Sequence, residues 1–435
     1  MGSLLAPLIV LSAAVASAPF VLEAFGLRAF VATYAIAAAA WLRLRRVPAA
    51  LPAPAIVVIA ALLRLAFVAQ PATLSTDVYR YLWDGRVFAS GINPYAHAPD
   101  DRTLFALRPP WHTLINHPEI PTIYPPHAEI LFGALGLAGA GLVSWRLLLL
   151  AADLALIFLL IRHVPRRVVL AYATFPPLLI ECSWSGHIEL IAALLLLLAW
   201  SNLAKSEARS ATTLAIAAGI KLIPIAAFPA MLIAASRRWR YALIFAIVLI
   251  LPAIAFVLAG PLMPGFHDYA TRWIFNSPIY EAVLATIDGF GIAPALKSLW
   301  TSIKDPLHLE PVSRAVYGLL YPDFLARAAL AAVAIAVIAI MTRRAATLPM
   351  RTTGAIGALL ICSPAIHPWY WITLVPIAFV SGGEMWLMLA LFAPMSYLLY
   401  AGVSKPSVIV LCYALPLLFT ARLPRPRPDE IVAGR

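Results

Sequence analysis

Long apolar runs alternate along the chain with short connections that hold most of its charged residues. A helix needs about 20 apolar residues to cross the hydrocarbon core of a bilayer, and fewer where neighbouring protein buries it. By this measure we predict spans near 4–22, 27–42, 53–71, 146–161, 168–182, 188–204, 241–260, 324–342, 352–366, 370–382, 385–402 and 406–420. The pattern predicts an all-α, polytopic integral membrane protein with about 12 to 14 membrane helices.

The connections between these runs are of two kinds, which alternate. The first kind is basic and contains no acid, as at 43–46, 162–167, 237–240, 343–344 and 422–427. The second kind is rich in His, Trp, Tyr, Asn and Pro, as at 72–126, 181–189, 261–323 and 363–370. Because short cytoplasmic loops carry the excess of Lys and Arg, we predict cytoplasmic N- and C-termini. The functional face then lies on the periplasmic or extracellular side of a plasma (inner) membrane.

Two apolar segments do not fit simple spanning. Residues 127–144 must begin and end without a net crossing if 162–167 is cytoplasmic, which predicts a half-inserted helix. Residues 210–236 are interrupted by the sequence GIKLIP at 219–224, which predicts a pair of short helices broken at Lys221. Broken backbone at membrane depth is tolerated only against protein or a water-filled cavity, so this break marks a candidate site.

Composition narrows the classes of protein further. Hydrophobic residues make up 63% of the 435 positions, which excludes an ordinary soluble domain. The net charge of +12 does not indicate nucleic-acid binding, because Lys and Arg sit in short clusters between apolar runs. Three cysteines in or beside apolar segments offer neither a disulfide framework nor a CxxC metal site, and packing roles are predicted for Cys182, Cys362 and Cys412.

The segment 75–95 concentrates charge in a chain whose residues are only 12% charged. Asp77, Arg80 and Asp84 fall at i, i+3 and i+7, so a helix carries them on one face, with Arg86 nearby. The opposite face is apolar, which is typical of a helix in the membrane interface. A structural alternative is open, with Asp77 as a first-turn acid favoured by the helix dipole and Arg80–Asp84 as an ion pair.

Capping residues set the bounds of this helix. Ser75 or Thr76 can cap its N-terminus, and Gly91 followed by Asn93-Pro94 stops it. We therefore predict interfacial helices in the large loop at 72–126.

Further chemically capable side chains lie on the same predicted face. They are His112, Asn116, His117, Tyr124 and His127, then His187 and Glu189, Lys221 at the break, Arg272 and Asn276, and finally His367 and Tyr370. An acid that accepts a proton, together with cations that hold a phosphate, is what transfer from a lipid phosphate needs. A lone intramembrane Lys costs of order 2.5–3.5 kcal/mol on insertion scales, so function is the default hypothesis for Lys221.

Each of these candidates has a structural alternative. Lys221 could pair with a backbone carbonyl at the break, and Glu189 could bond only His187 or a loop amide. His187 and His367 could be satisfied interfacial histidines. An aromatic belt is the preferred interpretation of Trp273, Trp369, Tyr370 and Trp371. The spacing of His112, His117 and His127 among prolines does not indicate a metal site.

The sequence at 76–95, with IYPP at 123–126, resembles the first external loop of bacterial GT-C glycosyltransferases. Within that superfamily it is most similar to the polyprenyl-phosphate-mannose-dependent mannosyltransferases. GHIE, GIKLIP, RWIFN and HPWY look like later motifs of that group, in the same order, at 186–189, 219–224, 272–276 and 367–370. The resemblance extends over residues 50 to 380.

The resemblance implies a membrane-embedded transferase that takes its sugar from a lipid phosphate, inverts the anomeric centre and works on the outer face. It implies that Asp77 is the catalytic base and that Lys221, Arg272 and His367 are cations on the phosphate side. One departure is that Ile188-Glu189 stands where many relatives have Asp or Asn after the His. The acceptor therefore stays open.

The residues and the resemblance together predict a transferase of a hexose, with mannose favoured, to a hydroxyl acceptor. One carboxylate as base, with no second as nucleophile, fits an inverting displacement. Substrate binding is predicted for Arg80, Tyr81, Asp84, Arg86, Asn93, Tyr124, His187, Glu189, Lys221, Arg272, Asn276, His367 and Tyr370. The expected partners are a polyprenyl-phosphate sugar donor, a lipid or glycan acceptor and the lipid bilayer, with no nucleic acid, no further cofactor and no divalent metal.

The predicted organisation is a single transmembrane catalytic domain, 1–420. It contains the external catalytic loop 72–126, the broken helix pair 210–236 and a second external loop 261–323, and a disordered cytoplasmic tail follows at 421–435. The alternative function is a flippase or transporter of a polyprenyl-phosphate conjugate without chemistry. A membrane scaffold is a third hypothesis, and it predicts that no cavity joins Asp77 to Lys221.

Overall fold

The computed structural model describes residues 2–48 and 51–421. These residues fold almost entirely into helices, and the pairing of extended backbone among them is limited to an isolated bridge between Phe275 and Ala365. The α-helices are α1 Gly2–Leu44, α2 Ala53–Leu65, α3 Asp77–Ala89, α4 Pro126–Leu137, α5 Leu142–Leu160, α6 Arg166–Ala173, α7 Glu189–Asn202, α8 Glu207–Ile220, α9 Phe228–Ala234, α10 Arg238–Ala259, α11 Pro264–Arg272, α12 Pro278–Gly289, α13 Ile292–Lys304, α14 Glu310–Leu319, α15 Pro322–Arg344, α16 Leu348–Ile361, α17 Val375–Ser381, α18 Glu384–Phe392, α19 Lys405–Ile409 and α20 Leu415–Ala421.

Shorter helical segments connect the α-helices. The 3-10 segments are Arg102–Leu107, Pro110–Leu114, Ile223–Ala227, Pro368–Leu374 and Ala393–Leu399, and the π-helical segments are Leu178–Trp184 and Val410–Ala414. The predicted tail at 421–435 lies outside the described residues, except for Ala421.

Several helices are apolar and long enough to cross a membrane. In the described ranges, four pass a test of length and composition: Ser3–Leu44, Leu142–Leu160, Arg238–Ala259 and Pro322–Arg344. Two bent pairs raise the number to as many as six: Leu178–Trp184 with Glu189–Asn202, and Pro278–Gly289 with Ile292–Lys304. The predicted all-α class and the apolar, membrane-type helices are confirmed, whereas the count of 12 to 14 membrane helices stays a prediction.

A kink at Gly26 divides α1 into two parts. Gly26 has φ 77° and ψ −175°, a conformation that glycine adopts without the steric penalty of a Cβ atom. The kink falls between the predicted spans 4–22 and 27–42, so the division of this region into two helices is confirmed.

The break predicted around Lys221 is also present. Helix α8 ends at Ile220, Lys221 has extended backbone with φ −144° and ψ 134°, and the 3-10 segment Ile223–Ala227 leads into α9. Pro224 lies in the first turn of that segment, where its missing N–H leaves no hydrogen bond unmade. The depth of this break in a membrane stays a prediction.

The second external loop predicted at 261–323 is largely helical. It contains α11 to α14, and α12 with α13 passes the test for a spanning pair at a bend of 55°. No span was predicted here because polar residues recur through the segment. In α13 and α14 these residues fall on one side of the helix, which leaves the other side apolar.

Helix α3 has the bounds that its capping signals predict. It runs from Asp77 to Ala89, and Gly91 follows with φ 77°. The exposed polar face expected of an interfacial helix is not observed, because nine of its thirteen residues are buried. Arg80 and Asp84 form the ion pair of the structural alternative, with Nε 2.9 Å from Oδ1, and both are buried.

Glycines allow α3 and α4 to pack at very short distance. A Cβ on Gly85 would lie 2.3 Å from the backbone oxygen of Phe132, and one on Gly136 would lie 2.1 Å from the backbone oxygen of Gly85. Since both obstacles are backbone atoms, neither helix can yield without moving as a whole. This close packing fixes the position of α3 along α4, and with it the position of Asp77 in the first turn of α3.

We expect Gly85→Ala to lower the free energy of unfolding by about 1–3 kcal/mol, the usual range for overpacking. The matched control is Gly289→Ala, because Gly289 also lies in a helix but has nothing within 4 Å of its Cβ position. Thermal unfolding of the two variants in the same detergent measures the difference. Equal melting temperatures would contradict the packing at Gly85.

Candidate active site

A cavity of about 600 Å³ lies at the N-terminus of α3, and we call it the Asp77 cavity. Its walls come from the segments 71–77 and 116–124, the break after α8, α11 and the residues 367–370. Six predicted site residues line it: Asp77, Arg80, Tyr124, Lys221, His367 and Tyr370. Residues that are far apart in the sequence therefore meet in one space.

Asp77 is the first residue of α3, and its carboxylate is 17% exposed. Asn116 donates a hydrogen bond from Nδ2 to Oδ1 at 2.7 Å. His187 lies on the other side, with Nδ1 3.7 Å from Oδ2. Burial raises the pKa of Asp77 above its ordinary value of 3.8, although the Asn116 hydrogen bond and the charge of Lys221 partly oppose the rise.

Lys221 projects from the break after α8, where the backbone leaves the helix. Its Nζ lies 2.7 Å from Oε1 of Glu189. The same ammonium lies 5.5 Å from the centre of the Tyr124 ring and 4.9 Å from that of Tyr370. Lys221 thus pairs with Glu189 rather than with a backbone carbonyl, and Glu189 pairs with Lys221 rather than only with His187 or a loop amide. The two aromatic rings beside the ammonium attract its positive charge.

A second cavity of about 380 Å³ continues from the first, and we call it the apolar cavity. Its further lining comes from the break and from helices α15 and α16, with side chains such as Leu222, Ile223, Leu330 and Leu360. The two cavities share five lining residues: Ile123, Tyr124, Lys221, Tyr269 and Tyr370. Lys221 therefore lies at the boundary between the Asp77 cavity and a more apolar one.

A stack of rings forms one wall of the Asp77 cavity. Trp369 lies between His187 and His367, with ring centroids 4.1 Å and 4.5 Å away, and His367 stacks on Phe275 at 4.5 Å. The bridge between Phe275 and Ala365 holds the two chain segments together. Trp369, Tyr370 and Trp371 are all buried, so the aromatic-belt interpretation is wrong for these three residues.

His367 does not carry the charge that the resemblance assigns to it. It is buried, and burial together with the positive charge of Lys221 lowers the pKa of His367 to about 3. At neutral pH its imidazole is uncharged, so it can offer a phosphate a hydrogen bond but no positive charge.

The remaining predicted residues lie away from the cavity lining. His187 and Glu189 are buried directly behind Asp77 and Lys221. Arg272 is 73% exposed and pairs with Asp268, so the second predicted phosphate-side cation does not face the cavity. The others outside the lining are Tyr81, Asp84, Arg86, Asn93 and Asn276. No group of three metal-ligating side chains occurs among the described residues.

Glu181 and Tyr397 are the site residues that the sequence analysis did not single out. Glu181 is fully buried, and the hydroxyl of Tyr397 donates to its Oε2 at 3.0 Å. The Nε2 atom of His187 lies 3.5 Å from the same oxygen. An acid within the predicted span 168–182 is costly to bury, and that cost is the signal that could have identified Glu181.

The helical fold and this site define a membrane-type protein in which the carboxylate of Asp77 and the ammonium of Lys221 share a cavity. Residues 122–364, more than half of the chain, match the sequence profile of glycosyltransferase family 87. The chain belongs to this family of glycosyltransferases. Neither a curated protein nor a solved structure shows a significant match. Lys221 and Glu189 lie within the matched range, whereas Asp77 precedes it.

We expect the pH dependence of glycosyl transfer to report the environment of Asp77. If its carboxylate is the active form, activity falls as pH falls through the raised pKa, so the acid limb has its midpoint above 3.8. Asn116→Ala removes a hydrogen bond that favours the charged form, and the limb should move to higher pH. Rates measured across pH with both proteins test this, and coincident limbs would count against Asp77 as the titrating group.

Proposed function

We propose that this glycosyltransferase moves a hexose from a polyprenyl-phosphate donor to a hydroxyl acceptor, with inversion at the anomeric carbon. The observation that carries the proposal is that Lys221 lines both cavities while Asp77 lines only the larger one. A sugar, a phosphate and a lipid tail joined in that order would occupy the Asp77 cavity, the junction and the apolar cavity.

The junction of the two cavities suits a phosphate because the ammonium of Lys221 has N–H donors that Glu189 does not use. An ammonium has three N–H donors, and Glu189 engages Lys221 at 2.7 Å through one carboxylate oxygen. A phosphate that enters can accept from the others, and a charge-assisted bond of this kind strengthens as negative charge develops on the leaving group. The phenol groups of Tyr269 and Tyr370, 2.5 Å apart, stand beside it.

The apolar cavity suits a prenyl chain because aliphatic and aromatic side chains make up most of its lining and it lies beside the break. The lining includes side chains of α15, a helix that passes the test for a membrane span. The proposed route for the lipid tail therefore runs from the bilayer between helices rather than from water.

A single displacement is the mechanism that the carboxylates favour. Two acids line the Asp77 cavity, Asp77 and Glu23, and Glu23 is exposed at its edge. Asp77 would take the proton of the acceptor hydroxyl while that oxygen attacks the anomeric carbon and the bond to the phosphate breaks. Because no second carboxylate is placed as a nucleophile in the part of the chain that the structure describes, one displacement inverts the configuration.

The choice of mannose and the placing of the reaction on the periplasmic or extracellular side of the plasma membrane rest on the resemblance and on the distribution of basic loops. The rival function, movement of the lipid conjugate without chemistry, uses the same two cavities. It differs in requiring no base, so Asp77→Asn separates the two.

The experiment incubates purified protein with labelled polyprenyl-phosphate hexoses and a membrane extract, and then identifies what has become labelled. We expect transfer from the mannose donor and a product of inverted configuration by NMR. Transfer only from a nucleotide sugar, or a retained configuration, would overturn the proposal. Lipid movement in vesicles with no labelled product would favour the transporter.

A further inference from the structure

A buried chain of polar groups runs behind the Asp77 cavity. From Oδ2 of Asp77 it passes to His187 at 3.7 Å, from His187 to Oε2 of Glu181 at 3.5 Å, and from there to the hydroxyl of Tyr397 at 3.0 Å. Its two ends, Asp77 and Tyr397, line the cavity. Its two middle members are fully buried.

The middle of this chain lacks the hydrogen bonds that buried groups normally make. Among the described residues, neither ring nitrogen of His187 has a hydrogen-bond partner within ordinary distance, and Oε1 of Glu181 has none. Nearly all buried polar atoms in proteins are paired. Hydrogen bonds at active sites are often long before substrate binds, so an imidazole between two carboxylates has the geometry of a site that tightens during the reaction.

The orientation of His187 is set from a third side. Its ring stacks on Trp369 with an interplanar angle of 12°, which holds the imidazole plane. Stacking fixes the plane and leaves open which nitrogen carries the proton. Asp77 and Glu181, on the two sides of His187, therefore decide which of its nitrogens carries the proton.

We propose that Glu181 is a positioning residue that acts through His187 on Asp77, a role that rests on the proposed transfer. Glu181 accepts from Nε2–H of His187, which leaves Nδ1 unprotonated and directed toward Asp77. When the acceptor oxygen bonds to the anomeric carbon and the phosphate departs with the electron pair, the acceptor proton passes to Asp77. The proton stays on Asp77, and Nδ1 of the uncharged His187, kept unprotonated by Glu181, accepts a hydrogen bond from the new carboxylic acid. After the product leaves, Asp77 releases the proton to cavity water.

The groups that face Glu181 from the surrounding elements are few. His187 and Tyr397 contact it directly, and the other titratable groups near enough to act on it are Tyr34, Cys182, Glu189 and Asp77. None of these is a cation. Lys221 and His367 face His187 itself, and burial beside the charge of Lys221 keeps its imidazole uncharged, so Glu181 acts on the tautomer of a neutral ring.

The test compares wild type with Glu181→Gln, which keeps the shape and can still accept from Tyr397. We expect kcat to fall about 10²-fold with an unchanged KM for the lipid-linked donor. In this variant a share of His187 carries its proton on Nδ1 and donates to Asp77, which stabilises the carboxylate, so the acid limb moves to lower pH. Because Glu181 acts only through His187, the double variant with His187→Gln should be no slower than His187→Gln alone.

The control for removing a buried carboxylate is Glu129→Gln. Glu129 is also fully buried and accepts from Thr122 at 2.7 Å, but it has no contact with His187. We expect its kcat and acid limb to match wild type. If Glu181→Gln merely lowers stability, with kcat per folded molecule and the acid limb unmoved, the positioning role is rejected.

A readout without substrate separates this proposal from the proposed function. In ¹⁵N-histidine NMR of the ligand-free protein, we expect His187 as the Nε2–H tautomer, identified by the loss of its signals in His187→Gln, and a mixture of tautomers in Glu181→Gln. A wild-type signal from the Nδ1–H tautomer would overturn the role of Glu181 whatever the donor. Failure of every polyprenyl-phosphate donor would overturn the proposed function and leave the NMR result standing.

Discussion

Asp77→Asn should reduce the rate of transfer by about 10³-fold while donor binding is retained. A positioned general base contributes 10²–10⁴-fold to a rate, and an amide cannot take a proton from the acceptor hydroxyl. The substitution preserves volume at the first residue of α3, and Asn116 can turn its amide to keep one hydrogen bond. The measurement is the single-turnover rate beside the dissociation constant of a labelled donor.

Asp101→Asn is the matched control for this change. Asp101 lies in the same large loop, where it caps the segment Arg102–Leu107 by accepting from the backbone N–H of Thr103 at 2.9 Å. Bonds from His97 and Thr103 lower the pKa of Asp101 to about 2, so its carboxylate is charged at neutral pH. We expect the control to transfer at the wild-type rate. An Asp77→Asn protein that still turns over at a tenth of that rate or more would exclude Asp77 as the base.

Lys221→Met should weaken donor binding and slow transfer, with kcat/KM lower by about 10²–10³-fold. Among the described residues, Lys221 is the only Lys or Arg that lines both cavities. Arg80 lines only the Asp77 cavity and pairs with Asp84, and Arg327 lines only the apolar cavity and pairs with Asp323. Charge-assisted bonds to a phosphate are roughly twice as strong as neutral ones and strengthen toward the transition state. Binding of polyprenyl phosphate alone, beside kcat/KM for the complete donor, divides the loss between ground state and transition state.

The fold must be controlled in this experiment, since Lys221→Met leaves Glu189 buried without its partner. Breaking a buried ion pair costs about 3–5 kcal/mol, and the double variant with Glu189→Gln removes that penalty. If the double variant recovers stability but not activity, the loss of activity is due to the missing contact between Lys221 and the phosphate. If it recovers both stability and activity, Lys221 contributes only to folding. Lys205→Met, on the exposed connection before α8, should leave both unchanged.

The sequence predicts where the helices that carry the site begin and end, because those positions depend on short stretches of backbone. Thr76 and Gly91 predict the bounds of α3, and the glycine and proline around Lys221 predict the end of α8. Gly91 acts through its positive φ and Pro224 through its missing N–H, whereas Thr76 stands at the N-cap position of α3 without a side-chain hydrogen bond to the first turn. A local pattern is then enough to fix where a helix begins or ends.

Contacts between distant helices could not be read in the same way. The pairing of Glu181 with His187 depends on how two limbs of a bent segment rotate, and Arg272 faces outward because α11 turns that side away from the cavity. Periodicity gives the relative directions of side chains within one helix, but the rotation of that helix about its axis is decided by packing against others. Residues assigned by the order of motifs alone, such as Arg272, are therefore the least secure.

The bend of 113° between the segment Leu178–Trp184 and α7 has a consequence for how such an enzyme could change its substrates. One limb carries Glu181, which lies beside His187, and the other carries Glu189, which pairs with Lys221, so the angle of this bend sets the spacing between the groups proposed as base and phosphate anchor. A change at the bend would move both groups at once. His117 and Ile120 line the Asp77 cavity from the large loop, so replacements there would alter the surroundings of the acceptor without moving the bend.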